Sequence, residues 1–185
     1  MKKIYIFFSK TGTLPSKLIH LSLGGRYTHV SLAITPETSK LYSFARRTLH
    51  NPLNAGFMIE DTSTHVFAQY PDCDCAIYSL EVSDESYDKI KTILKRFLQN
   101  EKRYTYNFLG ALPARLGYKF ERKYKFTCSQ FVAYVLHTSG AVELSKNYSL
   151  MMPNDFLELP NMNLVYSGKI GKCRIESDTV VETAN

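Results

Sequence analysis

The sequence predicts an α+β fold, on three observations. Strand-like runs with a period of two, or continuous apolar character, recur along the chain up to about residue 82. The period then changes to three and four residues at 84–100, and again at 128–139. At 185 residues the chain is long enough to remove roughly 70% of its unfolded surface from water as one domain and short for two. A single domain over residues 1–175 is expected, with 176–185 a polar, flexible tail.

The elements follow in order. Met1-Lys2-Lys3 leads into Ile4-Tyr5-Ile6-Phe7-Phe8, a five-residue apolar run that is short of the roughly 7–15 residues of a secretory signal core and reads as a buried first strand. No window approaches the ~18 apolar residues of a membrane span, so a cytoplasmic protein without a membrane span is expected. Pro15, the stripe Leu14, Leu18, Ile19 and Leu21, and the stop at Gly24-Gly25 predict a short helix. A strand over 27–34 places Thr28, Val30, Leu32 and Ile34 on one face and Tyr27, His29, Ser31 and Ala33 on the other. Further strands are expected at 40–46, 57–60, 76–82 and 164–170. Tyr87, Ile90, Ile93, Leu94, Phe97 and Leu98 define an amphipathic helix capped by Ser83 or Asp84. Residues 104–125, punctuated by Gly110, Pro113 and Gly117, predict irregular or short-helical chain.

Composition excludes several classes. With 44% hydrophobic and 22% charged residues, disorder, collagen and a disulfide mini-scaffold do not describe the chain. The formal charge of +6 is concentrated: residues 101–125 hold seven bases against two acids. Such a sector attracts an acidic substrate or anionic lipid, but it is interleaved with Tyr, Phe, Leu and Gly and carries no nucleic-acid motif. The four cysteines, Cys73, Cys75, Cys128 and Cys173, are expected as thiols. Cys73-Asp74-Cys75 has neither the gap nor the partner pair of a zinc site, so neither metal nor cofactor is expected.

Chemistry concentrates at one helix start. Thr127 with Gln130 three residues later is a capping box, and Gly140 is the stop, so a helix over 128–139 is predicted with Cys128 in its first turn. Phe131, Val132, Val135 and Leu136 share the thiol's stripe. A thiolate there gains ~0.3–1 kcal/mol from the helix dipole when exposed, up to ~2 kcal/mol when partly buried. The competing reading is a small core cysteine. A cysteine at a helix start facing a histidine on a sheet, here His29, is the arrangement in which imidazole takes the thiol proton and returns it to a leaving group. Tyr27 is placed two residues before His29 on the same face, as a substrate contact or a structural tyrosine. Tyr106, with Tyr104 and Phe108, lines a substrate groove or packs in the core.

The segments Tyr27-Thr28-His29-Val30-Ser31-Leu32 and Thr127-Cys128-Ser129-Gln130-Phe131-Val132 resemble the circularly permuted papain-like hydrolases of the NlpC superfamily, especially their YiiX-like branch. Leu41-Tyr42-Ser43-Phe44-Ala45-Arg46 and residues 153–156 extend the resemblance over most of the chain. The order, histidine strand before cysteine helix, is that of the permuted branch. The resemblance implies a small antiparallel sheet or partial barrel packed on helices, with Cys128 as nucleophile and His29 as general base and then acid. It puts the third polar member, often a carboxylate, near Ser43. A serine holds the imidazole's tautomer but does not offset imidazolium charge, and strand parity leaves Tyr42, Phe44 or Arg46 open for that place. Asp155 reads as a helix cap rather than the missing member. The implied function is a cysteine hydrolase of amidase or peptidase type acting on an amide or ester, peptide or lipid-like, through a thioester. The alternatives are a lipid-type acyltransferase of the same fold and a non-catalytic binding module with a degenerate triad.

Overall fold

A computed structural model of the chain describes residues 1–10, 26–48, 51, 53–173, 175–176 and 179–180. The helix expected near Pro15 and Leu14–21 lies outside them. The strands are β1 (Lys2–Ser9), β2 (His29–Ala33), β3 (Leu41–Arg46), β4 (Ala55–Glu60), β5 (Asp74–Val82), β6 (Thr105–Tyr106), β7 (Lys125–Phe126) and β8 (Met162–Lys169), with a small pair β9 (Ile175–Glu176) and β10 (Thr179–Val180). The α-helices are α1 (His65–Gln69), α2 (Asp84–Gln99), α3 (Phe108–Arg115) and α4 (Cys128–Ser139). The fold is α+β. Eight strands form one sheet in the order β7-β6-β4-β3-β2-β1-β5-β8. It is antiparallel except where β6 and β7 run parallel, so the expectation of a small antiparallel sheet or partial barrel is corrected: the sheet is open, mixed and of eight strands. The parallel edge arises inside 104–125, where two-residue strands are too short to leave a period in the sequence.

The sheet is covered on both faces, which explains the continuous apolar run of β1. Ile4, Ile6 and Phe8 enter the main core with Val30, Leu32, Phe44, Phe57 and the buried stripes of α2 and α4. Tyr5 and Phe7 enter a second cluster with Ala33, Leu41, Phe67, Cys75, Ile77, Ile170 and Cys173. The main core is an aromatic lattice. Phe97 of α2 stacks on Tyr104 with ring centroids 4.2 Å apart and meets Phe131 of α4 edge-on at 5.0 Å.

Local sequence sets both long helices. Ser83 Oγ accepts from the Ser86 N–H at 3.0 Å at the start of α2, with Asp84 and Glu85 at its positive end and Arg96 in its last turn. The capping box of α4 is formed in both directions: Gln130 N–H donates to Thr127 Oγ1 (3.2 Å) and Thr127 N–H to Gln130 Oε1 (3.0 Å). Gly140 takes the left-handed conformation at φ 71° that ends the helix. Asp155 serves the start of the turn Pro153–Glu158 from its third position rather than as the cap itself, accepting from the N–H of the cap residue Met152 at 2.6 Å. No helix among the described residues is long and apolar enough to cross a membrane.

Candidate active site

The first turn of α4 is held by a buried polar network before any chemistry is considered. Besides capping Thr127, the Gln130 amide accepts from Asn107 Nδ2 at 3.3 Å and donates from Nε2 to the Ser149 carbonyl at 2.9 Å. Asn107 also donates to the Phe120 carbonyl at 3.2 Å. The position of Cys128 is thereby tied to the chain on both sides of α4. On the sheet, Asn154 clamps the backbone just before β2, accepting from Tyr27 N–H at 3.1 Å and donating to Tyr27 O at 2.9 Å.

The site lies where β2 and β3 part. Their register is a single pair, Leu32 with Tyr42. At the next place along, the Val30 carbonyl accepts from Ser43 Oγ at 3.1 Å, and the Val30 N–H points to the Cys128 sulfur. Side chains of the site thus satisfy backbone groups that a continued ladder would pair.

The structure brings Cys128 and His29 together, close enough for each to shift the other's titration. The other side of the ring is occupied by a carboxylate that the sequence reading missed. His29 Nε2 lies 2.7 Å from Glu60 Oε2, with side-chain exposures of 14% and 9%. Ser31 Oγ donates to the same Glu60 oxygen at 2.8 Å. Glu60 stands on β4, two strands from His29, and its long side chain reaches back across β3.

Ser43, expected as the third member, does lie 3.3 Å from His29 Nε2, but its proton goes to the Val30 carbonyl. It lines the imidazole without orienting it through charge, and the premise that a carboxylate is lacking is corrected by Glu60. Ser43→Ala is therefore expected to slow alkylation of Cys128 by less than about tenfold, the equivalent of one pKa unit; a larger fall would place Ser43 in the orienting role.

Tyr27 is also corrected. It precedes the first residue of β2, so alternation does not carry it to His29's side. It is 1% exposed, stacks against Phe8 at 5.4 Å and hydrogen-bonds Ser167, toward β5 and β8. It is a core residue. Tyr106, by contrast, is at the site: its hydroxyl contacts the Cys128 sulfur and accepts from the Cys128 backbone N–H. Tyr104, paired with it in the sequence reading, belongs to the aromatic core.

The electrostatics favour charge separation. Burial opposes the imidazolium, yet the facing Glu60 carboxylate and the Cys128 thiol outweigh it and hold His29 well above its ordinary pKa. Burial likewise opposes the thiolate, but the His29 hydrogen bond and charge, with the N–H groups of Val30 and Ser129, bring Cys128 below the ordinary thiol value. Burial and the adjacent sulfur push the Tyr106 phenol well up, so it remains a protonated donor. The other cysteines lack such a setting: Cys75 is buried against Cys173 and raised by that contact and by desolvation. Among the described residues no group of three or more His, Cys, Asp or Glu side chains is placed to hold a metal ion.

No protein-family model, curated protein or solved structure matches the chain.

Proposed function

We propose that the protein is a cysteine hydrolase of amidase or peptidase type, acting on an amide or ester through a thioester at Cys128, on a circularly permuted papain-like scaffold. The observation that carries this reading is the continuous chain Cys128–His29–Glu60, in which a carboxylate 2.7 Å from the imidazole stabilises the imidazolium formed when the thiol gives up its proton. The order of elements, histidine and carboxylate strands before the cysteine helix, supports the permuted scaffold.

The Cys128 sulfur attacks the carbonyl carbon, and the amine or alcohol departs with the proton carried by His29. A water deprotonated by His29 then cleaves the thioester. The Cys128 N–H and the Tyr106 hydroxyl, hydrogen-bonded to each other at rest, are donors beside the attacking sulfur, in addition to the Val30 and Ser129 N–H groups that face it. A substrate carbonyl oxygen that replaces their mutual bond receives both. Glu60 removes the motive for the binding-module alternative, which rested on a serine in the carboxylate's place. Acyl transfer differs only in the nucleophile that resolves the thioester, and product analysis separates it.

Iodoacetamide at neutral pH is expected to label Cys128 ahead of Cys73, Cys75 and Cys173, with the midpoint of its pH–rate profile below that of an ordinary thiol. Thiolate is lost as pH drops through the lowered Cys128 value, and imidazolium is lost as pH rises through the raised His29 value. His29→Ala slows the labelling and moves its midpoint up. Equal rates at all four cysteines, read by peptide mass spectrometry, overturn the proposal.

A further inference from the structure

The segment that carries most of the net charge also carries the largest group of exposed apolar side chains near the site. Phe108 and Leu109 open α3 and are 45% and 65% exposed; Leu116 and Tyr118 in the loop that follows are 65% and 69% exposed. Phe120 is exposed too, and its backbone is stapled to Asn107, so the loop folds back beside the start of the helix. Gly117, at φ 79°, turns the chain just after the helix, within which Pro113 lies. A soluble surface does not gather protruding leucine and aromatic tips without use.

Exposed cationic side chains flank these residues along the chain. Lys102, Arg103, Lys119 and Lys123 are exposed. Arg103 and Lys123 lie over the Tyr124 ring at 4.5 and 5.2 Å, while Lys125 donates to Thr105 Oγ1 at 2.9 Å. Of the acids in this sector, Glu121 is engaged by the Tyr148 hydroxyl at 2.9 Å, and Glu101 stands at the outer turn Glu101–Arg103.

We propose that this face, α3 with the loop to residue 123, docks on an anionic lipid bilayer. Two features select that occupant. The apolar groups are solvent-exposed side chains, which suit a soft interface, where leucine and tyrosine enter the headgroup boundary while Lys and Arg stems lie alongside with their charges outward. The charge around them is complementary to anionic headgroups. Docking would set the site close to the bilayer: Phe108 packs on Tyr106 with centroids 4.8 Å apart, and Tyr106 touches Cys128. The docking goes beyond the proposed chemistry and does not depend on it.

The test is co-sedimentation of the full chain with vesicles of phosphatidylcholine alone or mixed with phosphatidylglycerol, at low and high salt. Binding to the mixed vesicles is expected to exceed that to phosphatidylcholine by at least roughly tenfold at low salt and to weaken with salt. The triple variant Leu109→Ser, Leu116→Ser, Tyr118→Ser should lose most of that binding with its melting temperature unchanged, since all three side chains are in solvent. Failure to sediment with anionic vesicles overturns the proposal. So does undiminished binding of the triple variant, which would reduce the interaction to charge alone. A dimer in sedimentation velocity that the triple variant dissolves would assign the face to a second copy and equally overturn it.

Discussion

Glu60→Gln is expected to slow alkylation of Cys128 at neutral pH by about tenfold or more, and to cut turnover of a hydrolysable substrate by on the order of 10²-fold. Glutamine keeps the size of the side chain and an oxygen to accept from His29 Nε2, so packing and the Ser31 hydrogen bond survive. Only the charge is removed. Without it the largest group that offsets the burial of the imidazolium is gone and only Cys128 opposes it, so His29 falls toward the neutral form. The Cys128 thiolate then loses the charge that faces it, and its pKa rises. Each unit of that rise costs a tenfold fraction of thiolate below the new value. The midpoint of the pH–rate profile for labelling should move up from its wild-type position. A rate and profile equal to wild type would show that Glu60 is only a buried acceptor. A stability measurement beside it guards the inference, because the variant is expected to fold.

Phe97→Ala is expected to cost about 3–5 kcal/mol, the range for large-to-small aromatic truncations in cores. The side chain is fully buried and touches Phe44, Phe57, Tyr104, Phe126, Phe131 and Tyr134. It therefore bridges three strands of the sheet, Tyr104 and the helix that carries Cys128. Native domains have only about 5–15 kcal/mol in hand, and at this length each kcal/mol moves the melting temperature by roughly 2–4 °C. A fall of about 6–20 °C in thermal unfolding is the expected reading. A change under about 2 °C would mean that the lattice collapses around the gap at little cost. Because Phe131 lies one turn from Cys128, some loss of labelling selectivity at Cys128 should accompany the destabilisation.

How much of this was legible beforehand depended on how local the cause is. The helix α4 is written into Thr127, Gln130 and Gly140, three residues whose hydrogen-bonding and backbone preferences act within a turn of themselves. Its observed bounds match the sequence reading. The same holds for α2 and for the inward period of β1 and β2. Cys128 and His29 were legible as a pair because each belongs to an element whose position in sequence is unambiguous.

Glu60 was not legible by the same route. It closes the strand expected at 57–60, where a glutamate ordinarily points to water, and its sole signal is that it is the only acid in the strand-like sequence between Tyr27 and itself. Whether it or Ser43 serves the imidazole depends on the register of β3 with β4, in which Leu41 pairs with Glu60, and on the parting of β2 from β3. Both are set by loops and by the packing of α4 into the gap. Tyr27 failed for a related reason, since alternation holds only within a strand and β2 begins at His29. The partners that meet within a few residues were thus determined by the sequence itself. The carboxylate, the opened ladder and the tyrosine over the thiol were decided only when distant segments came together, because strand register is a non-local quantity and a shift of one residue turns every side chain to the other face.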